Sequence, residues 1–316
     1  YKSLKFKLIF IYGLSSGILF SSVSYLLNKL DYTHPTGTPI TVTLVQPNIA
    51  SSKNFTQDDL KMIETTVDTL VQQSHGGLII LPETIFNTNY LNLTPGYLDK
   101  LSQLVKHNKS QLIFGSPFKM QDSIHQTGTL NLNHLQQPIY IKHNLVPLGE
   151  YNPLNITFIN NLINRYNLQV PDFIPGNNIQ QPFNYETQKL SFNICYENAI
   201  NDYVALNARH ASILVNQSDL SWYGKTFMKD LSSQFSQVRA LENQRYFVQD
   251  GNSGDTLIIN QEGKVVKSIP AFTTANLEFK VPGYIGITPF QRWLNYPIWL
   301  LCVFIIIFSF WLKLTK

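Results

Sequence analysis

Sulfur and charge are both scarce in this chain. Its 316 residues include only two cysteines and three methionines. Cys195 and Cys302 lie far apart, and Cys302 sits in a C-terminal apolar run, which excludes a disulfide framework. Charged residues make up 14%, below the ~25% usual for soluble domains, so some segments are expected to avoid water. The net charge of +4 is too mild and too scattered for nucleic-acid binding. Histidines at 34, 75, 107, 125, 134, 143 and 210 form no His-x-His, His-x-x-His or Glu-x-x-His spacing, and there is no Cys-x-x-Cys, so neither a metal nor a cofactor is expected. With 44% hydrophobic and 13% aromatic residues, disorder is excluded as the main state.

Apolar sequence is concentrated at the two ends. Leu8 to Leu27 runs about 20 residues without a charge between Lys7 and Lys29, the length that crosses a bilayer. No small-residue cleavage site follows it, so an uncleaved helix is expected rather than a signal peptide. A second uncharged run, Trp293 to Leu312, lies between Arg292 and Lys313 with Trp293, Tyr296, Trp299 and Trp311 near its ends, as in an aromatic belt. Lys2, Lys5 and Lys7 precede the first run while Lys313 and Lys316 follow the second, so both termini are expected in the cytoplasm and residues 30–290 outside. The opening at Tyr1 rather than methionine suggests a fragment with further spans upstream.

Between these runs, strand and helix patterns alternate. Thr41 to Gln46 reads as a strand, and Leu60, Ile63, Val67 and Leu70 recur at helical spacing after the polar start Thr56-Gln57-Asp58-Asp59. Gly76-Gly77 turns into Leu78-Ile79-Ile80-Leu81, a run suited to a strand buried on both faces, which Pro82 stops. Similar runs at 112–114, 190–194, 213–215 and 256–259, with helical stretches at 94–107 and 228–244, predict one α/β domain. Residues 151–188, which hold four prolines, predict a long loop of the kind that serves as a lid or binding arm.

Three chemically capable residues fall at strand ends, where α/β folds put reactive groups. Cys195 follows Leu190 to Ile194; it is a nucleophile if a base or cation activates its thiol, and a buried structural cysteine otherwise. Glu83 follows Leu78 to Leu81 and reads either as a general base with a raised pKa or as a turn cap. Lys142 ends Pro138 to Ile141 and reads either as an oxyanion holder or as a solvated edge-strand lysine.

In that chain order, Glu83, Lys142 and Cys195 resemble the Glu-Lys-Cys triad of the nitrilase superfamily. The elements Val45-Gln46-Pro47-Asn48-Ile49, Leu81-Pro82-Glu83-Thr84, Leu145-Val146-Pro147-Leu148-Gly149-Glu150-Tyr151, Ile194-Cys195-Tyr196-Glu197 and Val238-Arg239-Ala240-Leu241-Glu242-Asn243 resemble the apolipoprotein N-acyltransferase family more narrowly. The resemblance implies an αββα catalytic domain over 31–290, flanked by transmembrane helices in 1–30 and 291–316, with the family's other N-terminal helices absent. It makes Cys195 the nucleophile, Glu83 the base and Lys142 the oxyanion holder, with Glu150, Tyr196 and Glu197 also needed.

The implied reaction is ping-pong transfer of an acyl chain from phospholipid, through a Cys195 thioester, to the amino group of a diacylglyceryl-cysteine on an apolipoprotein. A monomer in the bacterial inner membrane with its catalytic domain in the periplasm is the implied setting. Two departures stand out: Phe55 replaces an expected tryptophan, and Ser218-Asp219-Leu220-Ser221-Trp222-Tyr223-Gly224 replaces Ser-Asn-Asp-Ala-Trp-Phe-Gly. Gln249-Asp250-Gly251-Asn252 is also unusual. Two other readings are a membrane-tethered amidase or hydrolase and an inactive module that binds lipid or lipoprotein.

Overall fold

The computed structural model describes residues 2–27, 30–50, 55–86, 88–119, 125–153, 165 and 173–314. Its first sheet has six strands in the order β12-β1-β2-β3-β4-β5. These are β1 (Thr33–Gln46), β2 (Gly77–Ile80), β3 (Ser110–Lys119), β4 (His125–Asn131), β5 (Tyr140–Ile141) and β12 (Ala275–Gly286). The second has the order β11-β10-β9-β8-β7-β6, from β6 (Phe183–Tyr185), β7 (Gln188–Ile194), β8 (Ile213–Ser218), β9 (Tyr246–Gly251), β10 (Leu257–Ile259) and β11 (Val265–Ser268). In each sheet the central strands are parallel and the edges antiparallel: β1, β2 and β3 run together, as do β7, β8 and β9.

Side-chain alternation builds the layers. Val42, Leu44, Leu78, Ile80 and Ile113 meet Phe192, Ile194, Val215 and Val248 in the core between the sheets. The alternate residues Val45, Ile79, Leu81 and Phe114 face the other way, against α2 (Gln57–Gln72) and α3 (Tyr97–His107). On the far side of the second sheet, Leu214, Phe247 and Ile259 pack on Val204 and Ala208 of α4 (Asn201–Ala208) and Ala240 of α5 (Met228–Asn243). The result is an αββα sandwich. The helix expected from Leu60, Ile63, Val67 and Leu70 forms as α2, with all four side chains buried. A capping box starts it: Thr56 Oγ1 accepts from the Asp59 N–H at 3.2 Å, and Asp59 Oδ2 accepts from the Thr56 N–H at 2.8 Å.

The chain ends fold as α1 (Lys2–Leu27), α6 (Pro289–Trp293) and α7 (Tyr296–Leu314). The apolar run expected as one helix from Trp293 is broken at Leu294, whose φ is +49°, so the long helix begins at Tyr296. Among the described residues, no helix is long and apolar enough to cross a membrane. The large apolar side chains of α1 and α7 are nevertheless exposed, Phe20, Trp299 and Phe304 among them. Lys29, and residues 154–164 and 166–172 of the expected loop, lie outside the described residues.

One buried carboxylate makes the stability of this scaffold pH-dependent. Asp255, between β9 and β10, is 8% exposed and accepts a hydrogen bond from Ser233 of α5 at 3.0 Å. Burial outweighs that bond and pushes its carboxyl up to about 7. A pKa raised on folding adds stability below the unfolded value of about 4, and that stability is lost as pH rises through the folded value. Asp255→Asn should therefore shrink the fall in unfolding free energy between about pH 5 and pH 8 by on the order of 2 kcal/mol, measured by denaturant titration. An unchanged pH slope would contradict this.

Candidate active site

Parallel register brings the carboxyl ends of the central strands to one edge of the sandwich. Leu44 lies opposite Ile80, and Ile80 opposite Ile113, while in the second sheet Ile194 lies opposite Gln217, and Gln217 opposite Asp250. Glu83 leaves just after β2, Lys142 directly after β5, and Cys195 opens a short 3-10 turn, Cys195–Ala199, directly after β7. The two sheets thus supply facing halves of one cluster.

Lys142 is its centre. Its Nζ lies 3.1 Å from Glu83 Oε1 and 2.6 Å from Glu150 Oε1, and the residue is 1% exposed. The Cys195 thiol lies beside Glu83, close enough for the two groups to shift each other's ionisation. Glu83 Oε2 also accepts the Asp219 N–H at 3.2 Å, and Glu150 Oε2 accepts the Val146 N–H at 2.8 Å. Gly115 of β3 makes room for the Glu83 backbone: a Cβ there would come within 2.8 Å of Glu83 Cα.

Desolvation governs the charges. Burial opposes the Lys142 ammonium, but Glu83, Cys195 and Glu150 more than offset this and hold its pKa above the ordinary lysine value. Burial pushes the Glu83 carboxyl up against the opposing pull of Lys142. Desolvation raises the Cys195 thiol well above its usual range; the Glu83 charge adds to that rise and Lys142 opposes it. The resting arrangement is therefore a neutral thiol beside the Glu83 carboxyl group, with the Lys142 ammonium paired to that same group. It can pass the thiol proton to Glu83 as sulfur attacks, and it can place a cation beside an oxygen that gains charge.

Glu197 is fully buried and does not join the ammonium. Its Oε1 accepts the N–H groups of His143 and Asn144, each at 2.8 Å, and its Oε2 accepts the Ile194 N–H at 2.7 Å and the Tyr140 hydroxyl. One carboxylate therefore ties the strand that ends in Cys195 to the segment that follows Lys142. Burial raises its pKa, against the pull of the Tyr140, Asn144 and Ile194 hydrogen bonds. Tyr196 is 44% exposed, and among the described residues it makes no hydrogen bond to the cluster. Five of the six residues singled out in the sequence are thus linked directly or through one backbone segment, and Tyr196 stands at the rim.

Several participants were missed in the sequence. Gln217 of β8 donates to the Leu81 carbonyl and accepts from Thr129 Oγ1, bridging the sheets beneath Glu83. Asn252 accepts the Ile49 N–H at 2.9 Å, donates to the Ile49 carbonyl at 2.8 Å and reaches Asp219 Oδ1 at 3.1 Å. Gln217 lies inside β8, two residues past its apolar run, and Asn252 directly follows β9 in a stretch that already stands out in the sequence. Beside Glu83, a crevice is lined by Ile49, Phe55, Met62, Ile85 and Trp222. Leu148, Trp222 and Phe227 stand exposed near this end of the molecule. Among the described residues, no three His, Cys, Asp or Glu side chains form a group that could hold a metal ion.

The chain is similar to apolipoprotein N-acyltransferases of Nitrosomonas europaea (32% identical over 86% of this chain and 55% of the relative) and Chromobacterium violaceum (32%, 87% and 54%). It spans about half the length of the curated relatives it matches. Among solved structures, it resembles Nit3 of Saccharomyces cerevisiae, a member of branch 10 of the nitrilase superfamily, with a TM-score of 0.54 at 17% identity over 83% of this chain and 95% of that one. It also resembles a mutant of the amidase from Nesterenkonia sp. AN1 that carries the acetamide moiety of fluoroacetamide on its active site cysteine, with a TM-score of 0.53 at 14% identity over 78% and 92%. These two likenesses establish a shared nitrilase-like α/β fold. The family model for carbon-nitrogen hydrolases matches residues 41–281, a span that takes in most of both sheets and encloses Glu83, Lys142 and Cys195. The chain therefore belongs to the carbon-nitrogen hydrolase family.

Proposed function

We propose that this chain carries the catalytic portion of an apolipoprotein N-acyltransferase, in which Cys195 is the nucleophile, Glu83 the general base and Lys142 the oxyanion holder. The observation that carries this reading is the buried Lys142 ammonium held between Glu83 and Glu150, with the Cys195 thiol brought beside Glu83. In the first half-reaction Glu83 takes the thiol proton as sulfur attacks the sn-1 ester carbonyl of a phospholipid. Lys142 and the Tyr196 N–H stabilise the oxyanion. The ester C–O bond then breaks, and Glu83 returns the proton to the departing alkoxide, leaving a thioester and a lysophospholipid.

In the second half-reaction the α-amino group of a diacylglyceryl-cysteine attacks the thioester. Glu83 takes a proton from nitrogen, the C–S bond breaks, and the proton passes to the departing sulfur. Glu150 anchors the ammonium, and Glu197 keeps the strand end and the Lys142 segment in register. Tyr196, beside the nucleophile and half-exposed, is read as a contact for entering substrate. Transfer to an amine, rather than to water, is supported by the similarity to apolipoprotein N-acyltransferases and by the apolar side chains around the site, which suit acyl chains.

The same reading sets the domain, residues 31–290, on the outer face of a bacterial inner membrane as a monomer, with 1–30 and 291–316 as transmembrane helices. Its support is the exposed apolar side chains along α1 and α7 and the lysines placed outside both apolar runs. Thr33 lies opposite Gly286, so both end helices leave one corner of the first sheet. The site lies at the Gln46 end of β1, roughly 40 Å away at about 3.3 Å per residue. A site serving lipid-anchored substrates then requires the domain to rest with β1 along the membrane surface.

Purified protein incubated with phospholipid should gain the mass of one acyl chain, removable by hydroxylamine and absent in Cys195→Ser. No adduct in the wild type would count against the mechanism, and fatty-acid release without acylation of a lipopeptide amine would favour the hydrolase reading. Glu197→Gln places an amide nitrogen among four hydrogen-bond donors. It should slow acylation by about 100-fold through misplacement of the two halves of the site, while circular dichroism stays native. A wild-type rate in that variant would remove Glu197 from the machinery.

A further inference from the structure

Cys195 leaves β7 with φ at +52°, a region that side chains other than glycine rarely enter, so its peptide must be held from outside. The holder is on the neighbouring strand. Asn216 Nδ2 donates to the Cys195 carbonyl at 3.2 Å and also to Asn193 Oδ1, while Asn193 Nδ2 donates to the Val215 carbonyl at 3.0 Å. Asn193 and Asn216 are directly opposite in the β7–β8 register and are 2% and 0% exposed. The three oxygens close to Asn216 Nδ2, those of the Cys195 and Asn193 carbonyls and Asn193 Oδ1, are acceptors, which fixes the orientation of that side chain.

The direction of this bond matters. Along β7 and β8, Ile194 and Val215 face the core between the sheets. Asn193 and Asn216, one position away on each strand, therefore face the α4–α5 layer. The Cys195 carbonyl is drawn to that side. A planar trans peptide points its N–H opposite to its carbonyl. The Tyr196 N–H is therefore turned back between the sheets, toward the side from which Lys142 and Glu83 approach Cys195.

We infer that Asn216, oriented by Asn193, is a positioning residue that locks the Cys195–Tyr196 peptide so that the Tyr196 N–H and Lys142 receive the oxyanion together. Neither asparagine touches sulfur or substrate; both act through the plane of one peptide. The inference rests on the acyl-transfer reading above.

Two reactions at the same sulfur separate this role from others. Acylation by a short-chain p-nitrophenyl ester passes through a tetrahedral oxyanion, whereas alkylation by iodoacetamide displaces iodide at a saturated carbon and forms none. Asn216→Leu should lower kcat for ester acylation by about 100-fold with KM little changed, while alkylation changes by less than about twofold. Asn193→Ala, which leaves the Asn216 amide in place but loosens it, should lower acylation by about tenfold. It carries the same comparison if the leucine variant does not fold. Acylation and alkylation falling together in both variants, or neither falling, would overturn the inference. A wild-type protein that is alkylated but never acylated would overturn the acyl-transfer reading first, and this inference with it.

Discussion

A lysine ammonium sealed between two β-sheets is the constraint around which this molecule is arranged. Removing such an ion from water costs several kcal/mol even after the protein relaxes, and a structure tolerates it only with close counter-charges. Lys142 has two carboxylates within 3.1 Å and 2.6 Å, drawn from different stretches of chain. Glu83 comes from the end of β2 and Glu150 from the turn where its own backbone N–H bonds to the Val146 carbonyl at 2.8 Å. The second sheet adds Cys195. Burying the ion therefore requires the sandwich to close with its strand ends in register, so the stability of the edge and its chemistry share one geometry.

The buried ties at this edge follow from that demand. Glu197 joins the Cys195 strand to the segment after Lys142, Gln217 joins the sheets beneath Glu83, and Asn252 fastens the segment after β1 to Asp219. Each is a buried polar side chain with partners on two elements, an arrangement worth more than its separate hydrogen bonds in a low-dielectric interior. Asn252 donates to Asp219, so the two stretches that stand out as unusual in the sequence form one coupled patch.

Much of this was legible in the sequence where burial leaves a pattern. Leu78 to Leu81 reads as a strand because both of its faces are covered, and α2 reads from its four-residue apolar stripe and its Thr56 cap. Glu83, Lys142 and Cys195 stand out as reactive residues placed at strand ends. Other parts left no such trace. The first half of β1 carries Thr33, His34, Pro35 and Gly37, and it becomes strand only through its antiparallel partner β12. β4 buries Gln126, Thr127, Thr129 and Asn131, so its inward face is polar and its alternation is hidden. Glu197 could be singled out only by resemblance, since a carboxylate two residues past a cysteine says nothing of the three donors that reach it from the distant segment 140–144, beside the nearby Ile194 N–H. The break at Leu294 lies inside the uncharged run, where its markers are Asn295 at the start of the new helix and Pro297 in its first turn.

The central claim is that the resting site holds a neutral Cys195 thiol against Glu83, with Lys142 supplying the positive charge. Following the ultraviolet thiolate band of the purified protein against pH, with Cys195→Ser as the blank, tests it directly. No thiolate should be seen at neutral pH, and the band should emerge only well above the range of an ordinary cysteine. A full thiolate signal at neutral pH would mean that the proton has already left sulfur, and general-base removal by Glu83 would no longer describe this site.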